Sequence, residues 1–192
     1  MSDRTNRKLK LHKQTLRQLN ADALHDKRVR IVNADALQWL EQNRETYDFI
    51  VADFPDPSNY SLGKLYSTAF YRLLQRHLAA DGLLVVQATS PLLARESYWT
   101  VVATLEAAGW ATNPYHALVP SFGEWGYILA GRSSYRMPET IAAPTRFLNG
   151  ATLAALFQFP PDMARVNAEP NRLDRQNLVR VFEREWGRVQ AH

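Results

Sequence analysis

From Val29 to Arg132 the chain alternates short apolar runs of strand character with helical stripes, and this alternation constrains the fold more than any single motif. VRIV (Val29 to Val32) reads as a first strand, and in the following NADALQWLEQN Asp35 is placed to cap a helix carrying Leu37 and Leu40. YDFIVADF is apolar without alternation, the pattern of a strand covered on both faces. Thr68 to Leu78 spaces Phe70, Leu73, Leu74 and His77 three and four apart, and AADG supplies a glycine stop. LLVVQA is the next strand, followed by a helix from Ala94 to Ala108 with Tyr98, Val101, Val102 and Leu105 on one stripe and Gly109 as terminator. WATNPYHALV and WGYILAGR then form two strands joined by PSFGE. The order predicts an α/β domain: a mostly parallel sheet with helices on both faces and a closing C-terminal antiparallel hairpin.

Three regions are expected: a basic helical segment at 1–28, the sheet domain at 29–132, and a helical extension at 133–192 packed on it. The extension holds a short helical candidate, ATLAALFQF, and an amphipathic one with Leu178, Val181, Phe182 and Trp186, whose apolar residues need burial. Residues 1–30 carry nine Lys or Arg against three acids, whereas residues 31–192 carry fourteen against sixteen. The net charge of +4 is thus a property of the first thirty residues and reads as a solvated helix face; no nucleic-acid partner is expected. With no cysteine, disulfides and thiolate catalysis are excluded, and five scattered histidines give no metal-ligand spacing. No apolar run reaches the eighteen or so residues of a spanning helix, and the expected location is the cytoplasm.

In open parallel sheets ligands bind beyond the carboxyl ends of the strands. Asp35 after VRIV, Asp53 with Asp56 after YDFIVA, and Gln87 after LLVV fall there. Asp35 alone reads as a helix cap and Gln87 alone as a loop-satisfied amide, but a carboxylate at the end of a buried strand requires a partner or a polar ligand. Pro55 and Pro57 fix their own φ and restrict the preceding residues, so Asp53 and Asp56 sit on a stiff platform. Such a platform suits a cationic amine, one carboxylate taking a proton and the other holding an ammonium, and less well a divalent metal. Tyr60, Tyr66, Phe122 and Trp125 are candidates to line the amine's methylene chain, against ordinary packing.

NADALQWL, YDFIVADFPDP, LYSTAFYRLL, GLLVVQATSP and VPSFGEWGYILA resemble, in order and spacing, the C-terminal part of the spermidine synthase (polyamine aminopropyltransferase) family. The likeness is strongest to a bacterial branch with membrane-anchored members, and covers roughly residues 15 to 188. It implies a truncated Rossmann-like, methyltransferase-type fold. It also implies transfer of an aminopropyl group from decarboxylated S-adenosylmethionine, a co-substrate and not a prosthetic group, to a diamine such as putrescine. Carried over by position, Asp53 would deprotonate the attacking amine, Asp56 would bind the amine, Gln87 and Tyr66 would lie near it, and Asp35 with Ala36 would contact the adenine. Phe122 falls where many family members use a substrate-contacting tyrosine.

Family members carry a glycine-rich turn and an acidic strand end before the position of Asp35, and this chain has no glycine before Gly63. The expectation is a chain that presents the acidic half of the site without the half that grips the donor. Two alternatives stand beside a transferase: a non-catalytic remnant or scaffold module, and an S-adenosylmethionine-dependent methyltransferase-fold enzyme. Exposed strand edges predict a homodimer.

Overall fold

The computed structural model describes residues 22–190. Most of the expected basic helical segment at 1–28 lies outside the described residues. The chain divides into two compact units that meet between Asp35 and Ala36.

In the first unit the described residues form one 3₁₀ turn, Ala23–His25, and then irregular chain. VRIV is not a strand: among the described residues it joins no ladder, and Val29, Ile31 and Val32 are exposed. A β-branched run becomes a strand only where a neighbour takes up its N–H and C=O groups, so propensity alone does not form one.

The second unit holds α1 (Ala36–Gln42), β1 (Tyr47–Ala52), α2 (Tyr60–Gly63), α3 (Thr68–Arg76), β2 (Leu78–Gln87), α4 (Arg95–Ala107), β3 (Ala111–Val119), β4 (Gly123–Gly131), α5 (Gly150–Leu156) and α6 (Asn177–Gln190). Its four strands lie in the order β1-β2-β4-β3. The sheet is mixed, where a mostly parallel one was expected: β1 runs parallel to β2, and β4 is antiparallel to both β2 and β3. The closing hairpin is present, with Val119 opposite Gly123, whose φ of 81° suits glycine.

The AADG stop lies inside β2. Tyr47 pairs with Leu78 and Phe49 with Leu83, so β1 advances two residues while β2 advances five. Residues 79–82 are looped out of register, and a side chain at Gly82 would come within 3.0 Å of the Asp48 carbonyl.

Ser67 caps α3 by accepting the Phe70 N–H, and Asn59 caps α2 by accepting that of Leu62. One set of alternating strand positions, Leu84, Val86, Ile128 and Ala130, is fully buried in a core with Phe70, Tyr71, Leu74, Tyr98, Val102 and Leu105. The other set is covered only in part. Phe49 and Val51 of β1 are 56% and 59% exposed, so YDFIVA is not buried on both faces as its uninterrupted apolarity suggested. No helix among the described residues is long and apolar enough to cross a membrane.

Candidate active site

β1 ends on buried Ala52 and delivers Asp53, exposed, at the sheet's carboxyl edge. β2 delivers Gln87 at the equivalent point, opposite Tyr127 of β4. A cavity of about 300 Å³ opens there, lined by Val51, Asp53, Val85, Gln87, Val119, Phe122, Trp125 and Tyr127. The structure therefore brings together Asp53, Gln87 and Phe122, which are far apart in sequence. A slightly larger cleft of about 390 Å³ is lined by Glu169, Arg172, Asp174, Arg175 and their neighbours and shares no lining residue with this cavity.

The lining combines an acid, an amide and an aromatic wall. Phe122, 65% exposed at the hairpin tip, lies 5.6 Å from Trp125 between ring centroids, and Trp125 lies 6.4 Å from Trp186 of α6. The Trp186 indole donates to Thr89 Oγ1 at 3.2 Å, which ties the C-terminal helix to the segment leaving β2. Tyr127 stacks on Tyr115 at 5.3 Å. Its hydroxyl is held above the usual phenol range, first by desolvation and then by the charge of Asp53.

Asp56 is half-buried and does not line this cavity. Its Oδ1 is buried and finds no hydrogen-bond partner among the described residues, and desolvation raises the carboxyl to about 6. Gln87 Oε1 is likewise buried without a partner among them. At the cavity, the unpartnered Gln87 acceptor and the exposed Asp53 carboxylate form a lining that a ligand rich in N–H donors would satisfy. Among the described residues no three His, Cys, Asp or Glu side chains gather as a metal site would need.

Tyr66 is only 1% exposed and lies beneath the loop, not in the cavity. Its hydroxyl donates to the Phe54 and Pro55 carbonyls, both at 3.1 Å, and is held far above its ordinary pKa by burial and by Asp56 and Asp53. Tyr60 is 60% exposed. Asp35 is exposed at the end of the first unit, and Ala36 opens α1, half-buried. Sequence reasoning missed Tyr127, Val51, Val85 and Val119. The signal was in WGYILAG, whose period of two places Tyr127 on the same face as Trp125 once the strand is recognised.

Residues 6–140 match the family model described as spermine/spermidine synthase domain. Polyamine aminopropyltransferase 2 of Ralstonia nicotianae is 58% identical over 177 residues, covering 91% of this chain and 35% of the relative. Polyamine aminopropyltransferase of Leptospira interrogans is 46% identical over 174 residues, again 91% and 35%. The chain thus spans about a third of the length of the curated relatives it matches. Among solved structures, a spermidine synthase in complex with the transition state analogue AdoDATO superposes with a TM-score of 0.66 at 22% identity, over 77% of this chain and 53% of that one. Spermidine synthase from Thermotoga maritima gives 0.63 at 19%, over 77% and 52%. At such identities the superpositions speak to the fold, which is methyltransferase-like. Sequence match and strand-end architecture agree, and the chain belongs to the spermine/spermidine synthase family.

Proposed function

We propose that the chain carries the amine-activating half of an aminopropyltransferase of polyamine biosynthesis, acting in the cytoplasm. A diamine such as putrescine enters the cavity, its methylene chain against Phe122 and Trp125. Gln87 holds the distal ammonium within the cavity, and Asp56, on the loop behind the lining, is assigned to it as the counter-charge. Asp53 takes a proton from the proximal ammonium, and the neutral nitrogen attacks the propyl carbon bonded to the sulfonium of decarboxylated S-adenosylmethionine. The C–N bond forms as the C–S bond breaks, and the electron pair returns to sulfur as methylthioadenosine leaves. Asp35 and Ala36 are assigned to the adenine. The observation that carries this reading is the convergence of Asp53, Gln87 and Phe122 on one cavity at the strand ends.

Titration calorimetry with putrescine, together with a turnover assay using decarboxylated and carboxylated S-adenosylmethionine, tests it. Asp53→Asn is expected to lower any turnover by roughly 10²- to 10⁴-fold while putrescine still binds. A preference for the carboxylated donor would favour a methyltransferase instead.

A second reading, a non-catalytic module, draws support from the exposed side of β1. Under it Asp53→Asn changes nothing. In either case we propose a homodimer, because β1 stands at the sheet edge and exposes Phe49.

A further inference from the structure

The segment between the two carboxylates, Phe54-Pro55, cannot secure itself. Pro55 and Pro57 supply no backbone N–H, and the neighbouring turn bond, Ser58 N–H to the Asp56 carbonyl at 2.7 Å, leaves the Phe54 and Pro55 carbonyls untouched. The Phe54 and Pro55 carbonyls instead share the proton of the Tyr66 hydroxyl. Tyr66 is itself fixed. Its ring meets Phe54 edge-on at 6.4 Å, and its carbonyl accepts from Asn171 Nδ2 at 3.0 Å. Asn171 is fully buried; it also donates to the Gly63 carbonyl and Thr104 Oγ1, and accepts from Leu178 N–H. A continuous set of bonds thus runs from α4 and α6 through Asn171 and Tyr66 to the backbone that carries Asp53 and Asp56.

We infer that Tyr66 is a positioning residue: its three-centre hydrogen bond to Phe54 and Pro55 sets the separation and direction of Asp53 and Asp56, and it does not touch the amine. The inference rests on the proposed function for its consequence, but its geometry stands without it. A neighbouring tyrosine supplies the control. Tyr71 is also buried in the core, near enough to Tyr66 to feel its charge, and its hydroxyl has no hydrogen-bond partner among the described residues, so Tyr71→Phe removes an equivalent phenolic oxygen without removing a bond to the loop.

The test compares Tyr66→Phe with Tyr71→Phe in the full chain. Carboxyl ¹³C NMR titration reads the Asp56 midpoint, and calorimetry reads putrescine affinity. In Tyr66→Phe the midpoint moves and affinity falls roughly tenfold, as loss of about one hydrogen bond's worth of organisation implies. In Tyr71→Phe neither changes. A folded Tyr66→Phe with an unchanged Asp56 midpoint overturns the inference. If the wild type binds no putrescine, the proposed function fails, and the Asp56 midpoint still decides the role of Tyr66. Should Tyr66→Phe not fold, the wild-type hydroxyl proton decides: protection from exchange supports the bond, and exchange as fast as that of exposed Tyr60 refutes it.

Discussion

Glu185 of α6 caps α4 from eighty-eight residues away: its carboxylate accepts the Ser97 N–H at 2.9 Å and the Ser97 hydroxyl at 2.6 Å. The Glu96 N–H adds a third bond at 2.9 Å. The residue at the N-cap position of α4 is Ala94, which has no side-chain acceptor, so the helix would begin with unsatisfied donors without this help. A carboxylate at a helix N-terminus also meets the positive end of the helix dipole. Glu185→Ala is therefore expected to lower stability by about 1–3 kcal/mol in chemical denaturation. Arg184→Ala, which removes an exposed ion pair to Glu96, should lower it by no more than about 1 kcal/mol. Equal losses in the two variants would show that the cap contributes nothing special.

Asp56 gives a pH dependence with a definite sign. Desolvation raises its folded-state value from 3.8 to about 6. Below 3.8 the group is protonated in both states and has no effect. Between 3.8 and 6 the unfolded chain ionises while the folded one keeps its proton, so stability falls as pH rises, and above 6 the full destabilisation persists. Asp56→Asn should therefore melt higher than wild type at pH 7.5, with the difference closing toward pH 4. Binding runs the other way: holding an ammonium needs the carboxylate, so putrescine affinity should rise through pH 6 and be lost in Asp56→Asn. A melting difference that is independent of pH would contradict this account.

How much of this was legible in the sequence depended on whether a signal was local. The helix read over Ala94 to Ala108 is observed at Arg95–Ala107, and both hairpin strands lie where their apolar runs predicted, because each carries its own periodicity and stop. VRIV failed since a strand needs a neighbour, and AADG failed because a glycine that ends a helix in one context permits a close backbone approach in another. At the site, D-x-x-D between prolines was visible as a stiff acidic platform. That the carboxylates divide, Asp53 into the cavity and Asp56 behind it, was not visible, nor was Tyr66 turning its hydroxyl onto the backbone. Those facts are set by contacts across the fold, which no spacing encodes.

Gly126 marks the tightest contact behind the cavity. A Cβ there would overlap the Tyr98 ring and come within 2.7 Å of the Thr89 carbonyl. Tyr98 has no room to yield: it is fully buried against Trp99 and Phe159, and its hydroxyl donates to the carbonyls of Tyr115 and Tyr127 at 3.2 and 3.0 Å. Gly126→Ala should destabilise by about 2–3 kcal/mol or more, with Tyr127 displaced. Thermal melting and the Tyr127 ring resonances check both effects, and a variant as stable as wild type would mean that Tyr98 can move.

Phe49 tests the assembly. It lies on β1, which among the described residues is an edge of the four-stranded sheet paired on one side, and it is 56% exposed. An edge that presents unpaired N–H and C=O groups together with a large apolar side chain is a template for another strand, and a lysine there is the usual way in which sheets avoid such pairing. Phe49 is not among the residues lining the cavity, so its replacement leaves the candidate site alone. Light scattering after gel filtration is expected to give twice the chain's mass for wild type and a shift toward monomer for Phe49→Lys, with putrescine binding per chain unchanged. If the wild type is a monomer, the edge is not used. If Phe49→Lys keeps the doubled mass, the copies meet elsewhere.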